Sequence, residues 1–63
     1  MSWTSCMEKK IKDHYGPEVV ECVKGIEKGN LEQVAECIVT VVPDTTPAAV
    51  LEHLAAWSVE CEF

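Results

Sequence analysis

The sequence predicts an all-α fold: a compact bundle of four short helices stapled by two disulfides. Apolar residues recur at three- and four-residue intervals almost throughout, which is helical period. Glycine, asparagine and proline punctuate that pattern into four segments, and the 63 residues include four cysteines. A chain this short makes one domain, spanning 1–63. Such a domain buries only about 60% of the surface its unfolded chain exposes, so it needs a staple or a partner. A hydrophobic content of 48% sets disorder aside.

The first helix carries its apolar stripe on Trp3, Cys6, Met7, Ile11 and Tyr15, with Ser2 placed to cap it. Gly16-Pro17 ends it and starts the second helix, with Pro17 at the first helical position. Val19, Cys22, Val23 and Ile26 form the second stripe, and Gly25 is expected within this helix, packed closely against a neighbour. Gly29 suits a left-handed C-terminal cap. Asn30 suits the next N-cap, and Gln33 completes a capping-box pattern. Leu31, Val34, Ile38, Val41 and Val42 form the third stripe; its β-branched end has no partner strand and is read as helix. Pro43-Asp44-Thr45-Thr46-Pro47 is the one clear loop. Thr46 caps a last helix whose inner face is Val50, Leu51, Leu54, Trp57 and Cys61.

The cysteines stand 16, 15 and 24 residues apart (6 to 22, 22 to 37, 37 to 61), with no tight pair of the kind that zinc and iron–sulfur sites draw on. Disulfides are expected over metal ligation and over buried free thiols. Four cysteines allow three connectivities, and helix geometry ranks them. Cys22 lies seven residues before Gly29 and Cys37 seven after Asn30, so an antiparallel hairpin sets them level. Cys6 lies about 15 Å along its helix from Gly16, and Cys61 about 21 Å from Pro47, which brings both to the opposite end of the bundle. Cys22–Cys37 with Cys6–Cys61 is therefore expected. A short motif precedes three of the cysteines: Glu21-Cys22, Glu36-Cys37 and Glu60-Cys61 each put a water-facing glutamate before an inward cysteine.

Charge divides the chain. All five lysines and five acids fall within residues 1–28 and cancel, whereas residues 29–63 hold six acids and no lysine or arginine, which accounts for the net −6. Nucleic acid, bound by clustered Lys and Arg, is excluded as a partner, and so is adsorption to an anionic membrane at neutral pH. No apolar run approaches the ~18 residues of a membrane span. The start carries no basic head or apolar stretch of a leader. The even cysteine count points to a secreted, mature domain, the alternative being a cytosolic chain with reduced thiols.

Catalytic chemistry finds little support. His14 and His53 read as surface or capping histidines, with His14 in the last turn of its helix where a positive charge suits the dipole. No phosphate loop, calcium loop or Cys–His nucleophile pair is evident. The chain is expected to be a non-enzyme with no cofactor and no metal. Trp57 is expected in the core, and Trp3 either packs on it or stands exposed as an anchor.

The expected function is that of a small secreted interaction protein, a signal, effector or toxin, acting on a basic protein partner through an acidic face. Glu52, Trp57, Glu60, Glu62 and Phe63 are the candidate partner-binding residues. A homodimer is compatible with this expectation. The alternatives are a carrier or lipid-active bundle around an apolar ligand and a small cytosolic adaptor. In plan the chain resembles saposin-like domains, secretoglobins and ciliate pheromones, but its cysteine spacing fits none of them, and no functional residue is carried over.

Overall fold

A computed structural model describes residues 2–62; within it the chain forms four helices and no strand. Helix α1 spans Trp3–Tyr15, α2 Val20–Val23, α3 Leu31–Val41 and α4 Pro47–Glu60. Single 3-10 turns at Pro17–Val19 and Lys28–Asn30 lead into α2 and α3.

The predicted caps form at both long-helix starts. The Ser2 hydroxyl accepts from Ser5 N at 3.1 Å, and Thr46 Oγ1 accepts from Ala49 N at 3.2 Å ahead of Pro47. The β-branched run 38–41 stays helical, because its inward side chains have core to cover while its solvent side carries Thr40. The core consists of Met7 and Ile11 of α1, Val19, Val23 and Ile26 of the second segment, Val34, Ala35 and Ile38 of α3, and Val50 and Leu54 of α4. Every predicted stripe thus contributes, and Ala35 joins because it completes the face that α3 turns to α4. Val41 stays 40% exposed, since α3 is already leaving the core at its last turn.

The second segment differs from expectation. The helix stops at Val23 rather than running to Gly29. Lys24 is extended, and Gly25 takes a left-handed conformation, with φ of 75°. The chain then turns back, and Ile26 N donates to Val23 O at 3.1 Å while its side chain enters the core. Gly25 is therefore the cap that Gly29 was expected to be. No atom lies within 4 Å of a Cβ built on it, so it is not there for close packing. Asn30 is also used differently: its Oδ1 accepts from Glu27 N at 2.8 Å and its Nδ2 donates to Gly25 O at 3.2 Å. The side chain braces the preceding turn, leaving none to cap α3, and the box with Gln33 does not form.

A substitution separates the two glycines. Gly25→Ala should cost about 1–2 kcal/mol, the penalty of a left-handed L-residue without a steric clash. Gly29→Ala should cost less than half as much, because Gly29 has no positive φ and open space around it. Urea midpoints of the two variants measure the difference; equal midpoints would refute the role of Gly25.

Both disulfides form as expected, Cys6–Cys61 with Cα atoms 5.7 Å apart and Cys22–Cys37 with Cα atoms 5.6 Å apart. The second is reached by another route, since α2 is one turn long and does not make a seven-residue antiparallel arm. The cysteines are also less inward than predicted. Cys6, Cys22 and Cys61 are half-buried and Cys37 is exposed, while Glu21, Glu36 and Glu60 face water.

Candidate functional site

Two surface features stand out, an aromatic–histidine cluster between α1 and α4 and an acidic groove between α3 and α4. The cluster follows from the register that Cys6–Cys61 imposes. It joins the first turn of α1 to the end of α4, so the two helices run antiparallel. Eight residues on from Cys6 is His14, and eight residues back from Cys61 is His53. At 1.5 Å per residue both lie about 12 Å from the bridge, level with each other. Their ring centroids are 4.8 Å apart, tilted by 43°. Trp57, one turn along α4 from His53, stacks on it at 5.3 Å and 28° and meets His14 edge-on at 5.3 Å. Tyr15 closes the group, edge-on to Trp57 at 6.2 Å. Both histidines are exposed, and Trp57 and Tyr15 are half-buried beneath them. The Tyr15 hydroxyl is enclosed without a side-chain or backbone partner among the described residues, and this burial pushes its pKa up.

Trp57 thus borders the core instead of filling it, because the stripe it shares with Val50 and Leu54 turns outward along the helix. Trp3 reaches α4 separately: its indole Nε1 donates to Ser58 O at 3.1 Å, and the Lys28 ammonium sits 5.9 Å from its ring centre.

The other candidate residues divide between paired and unpaired. Glu60 accepts from Lys10 at 3.2 Å and Glu62 from Lys28 at 2.7 Å. Lys9–Asp13 and Lys24–Glu21 pair within their own segments. These exposed pairs are each worth about 0–1 kcal/mol, but they place positive charge beside Glu60 and Glu62. Among the described residues, Glu8, Glu18, Glu27, Glu32, Glu36, Asp44 and Glu52 have no such pairing, and Lys12 is the one lysine outside it. Phe63 lies outside the described residues.

Glu32 and Glu36 stand one turn apart on α3 and border a groove of about 180 Å³. Ala35, Ala48 and Leu51 are among its other lining residues, and Glu52 follows Leu51 on α4. A second groove of about 430 Å³ runs between α1 and α2, with Val20 and Val23 beside Lys9, Lys12 and Lys24. Sequence reasoning counted Glu32 and Glu36 only among the six acids of the second half and did not single them out as a site, although their i, i+4 spacing places them on one face. It treated the two histidines one at a time, although the pairing of Cys6 with Cys61 already sets them level.

Among the described residues, no helix is long and apolar enough to cross a membrane. Two disulfides are compatible with an extracellular location. Comparison with known proteins finds no family model, no curated protein and no solved structure that matches this chain.

Proposed function

We propose that this chain is a secreted, non-enzymatic protein-binding domain whose acidic α3–α4 groove takes a basic segment of a protein partner. One observation carries the reading: the unpaired acids Glu32 and Glu36 flank an apolar-floored groove, while Glu60 and Glu62 already face lysines of the same chain. Two carboxylates one helical turn apart repel each other mildly and so favour an incoming cation. Ala35, Ala48 and Leu51 offer apolar contact between them. The electrostatic part of such binding speeds encounter and weakens with salt, over a Debye length of about 8 Å at physiological ionic strength. Glu52 adds to the same field, so the acidic face proposed here centres on Glu32, Glu36 and Glu52.

The test is an NMR titration of the labelled chain with an amphipathic Lys/Leu peptide. Its amide shifts should cluster on Glu32, Ala35, Glu36 and Leu51, and the affinity should fall as salt rises. Glu32→Lys with Glu36→Lys should weaken binding at least about tenfold, about 1.4 kcal/mol. Glu8→Lys with Glu18→Lys reaches the same net charge of −2 (−6 plus 4) with the groove intact. Equal weakening by both pairs would show that net charge alone attracts the peptide, and the localised face would fall.

A second reading, a carrier of an amphipathic acid, draws on the α1–α2 groove, where Val20 and Val23 lie beside the unpaired Lys12. Its volume is within the range of small-molecule sites. Shifts at Val20 and Val23 on adding a fatty acid, with none on adding the basic peptide, would favour that reading.

A further inference from the structure

We propose that His14 and His53 together form a two-imidazole site for a late first-row divalent metal ion, copper(II) above all. The proposal departs from the expectation, drawn from sequence, that the chain has no metal site.

The geometry is the first support. A metal–nitrogen bond of roughly 2.1 Å puts the ion about 3.2 Å from each ring centre. Two rings meeting the ion at a right angle, or slightly wider, then have centres roughly 4.5–5 Å apart. The observed separation is 4.8 Å. Both rings are exposed, so an ion from solution reaches them.

The second support is rigidity. The two histidines come from different helices, and the Cys6–Cys61 bridge fixes the register of those helices. Trp57 lies 5.3 Å from each ring and limits how far either can swing away. A ligand pair held in place before binding loses less conformational freedom when the ion arrives.

The third support is the number of ligands. Among the described residues no Cys, Asp or Glu joins the histidines to make a group of three. A closed structural zinc site takes four protein ligands, so this pair does not make one. Two adjacent imidazoles with the remaining positions left to water suit the tetragonal geometry of copper(II) or nickel(II). Affinity for nitrogen ligands rises towards copper in the first-row series, so copper(II) should bind tighter than nickel(II) or zinc(II). The net charge of −6 adds attraction for any cation.

The experiment is a titration of the whole oxidised chain with copper(II) chloride in a weakly coordinating neutral buffer, read by tryptophan emission. Trp57 adjoins the site and should be quenched in a saturable, one-to-one manner, with residual emission from Trp3. Sub-stoichiometric copper(II) should also broaden the ring-proton NMR signals of His14 and His53 before any others. Outer-shell partners of a metal are worth about 10–100-fold in affinity. Removing a directly ligating ring should cost at least as much, so His14→Asn and His53→Asn should each weaken binding tenfold or more. The double variant keeps neither ring and should show no saturable quenching. Circular dichroism checks that the variants fold, and the broadening readout needs no variant. Absence of saturable quenching, broadening elsewhere on the chain, or unchanged affinity in His14→Asn would each overturn the site and leave the rings as a stacked pair only.

Discussion

Reduction of both disulfides is expected to unfold most of the chain at 37 °C. Among the described residues the core comprises ten buried side chains, four of them valine and one alanine, and is small for a domain that must stand alone. Cys6–Cys61 closes a separation of 55 residues and Cys22–Cys37 one of 15. In the chain-entropy account these loops stabilise by about 4 and about 3 kcal/mol. Whole domains are stable by about 5–15 kcal/mol, and a short one falls towards the lower end, so the bridges are comparable with everything else combined. The four helices are also short, and isolated helices under about 12–15 residues are marginal in water. Helical circular dichroism should therefore collapse on adding reductant. Cys6→Ser with Cys61→Ser should lower the melting temperature somewhat more than Cys22→Ser with Cys37→Ser. Cys37 is exposed, so the inner bridge should be the first that a limiting reductant opens. A melting curve unmoved by reductant would show that packing or self-association suffices.

Leu54→Ala should be among the most damaging single core changes, costing about 2–5 kcal/mol. Leu54 is fully buried and belongs to the core shared by all four helices. Truncation removes three carbons from a close-packed site and leaves a void that the two cross-links prevent from collapsing fully. For a domain of this size, each kcal/mol moves the melting temperature by about 4–8 °C, so a drop of about 8 °C or more is expected. Val59→Ala on the same helix supplies the contrast. Val59 is 57% exposed, and its truncation should fall within about 0.5 kcal/mol of wild type. Similar melting temperatures for the two variants would mean that α4 does not dock as described. Leu54 also seats the helix beside His53, so its loss should weaken copper binding even where the fold survives.

Much of the fold was legible because cap and stripe signals are local. Ser2 and Thr46 have oxygen acceptors at the right distance from free amides, and the four stripes need only helical period to be seen. The disulfide pairing was legible because rise per residue converts sequence separation into height. The second segment was not legible. Helix period ran through Val19, Val23 and Ile26, and Ile26 does face inward, but after a reversal at Gly25. Period alone does not distinguish a continuing helix from a turn that returns the next apolar residue to the core. Asn30 could serve either neighbour, and the tertiary position of Gly25 decided between them. The candidate site was legible in charge but less so in place. The surplus of acids in the second half is evident from composition. Which acids lysines neutralise depends on contacts such as Lys10 with Glu60 and Lys28 with Glu62, up to 50 residues apart in sequence.

The outer bridge has a consequence for the topology of the chain as a building block. It holds Cys6 and Cys61 at 5.7 Å, and Trp3 reaches the carbonyl of Ser58 beside it. The backbone therefore enters and leaves the fold at one spot. A host protein could carry the whole domain in a surface loop without its own loop ends being pulled apart, which is the geometry that tolerated domain insertions share. The connection over residues 42–46, near the other end of α4, is then the natural place to cut new ends if the present ones are joined.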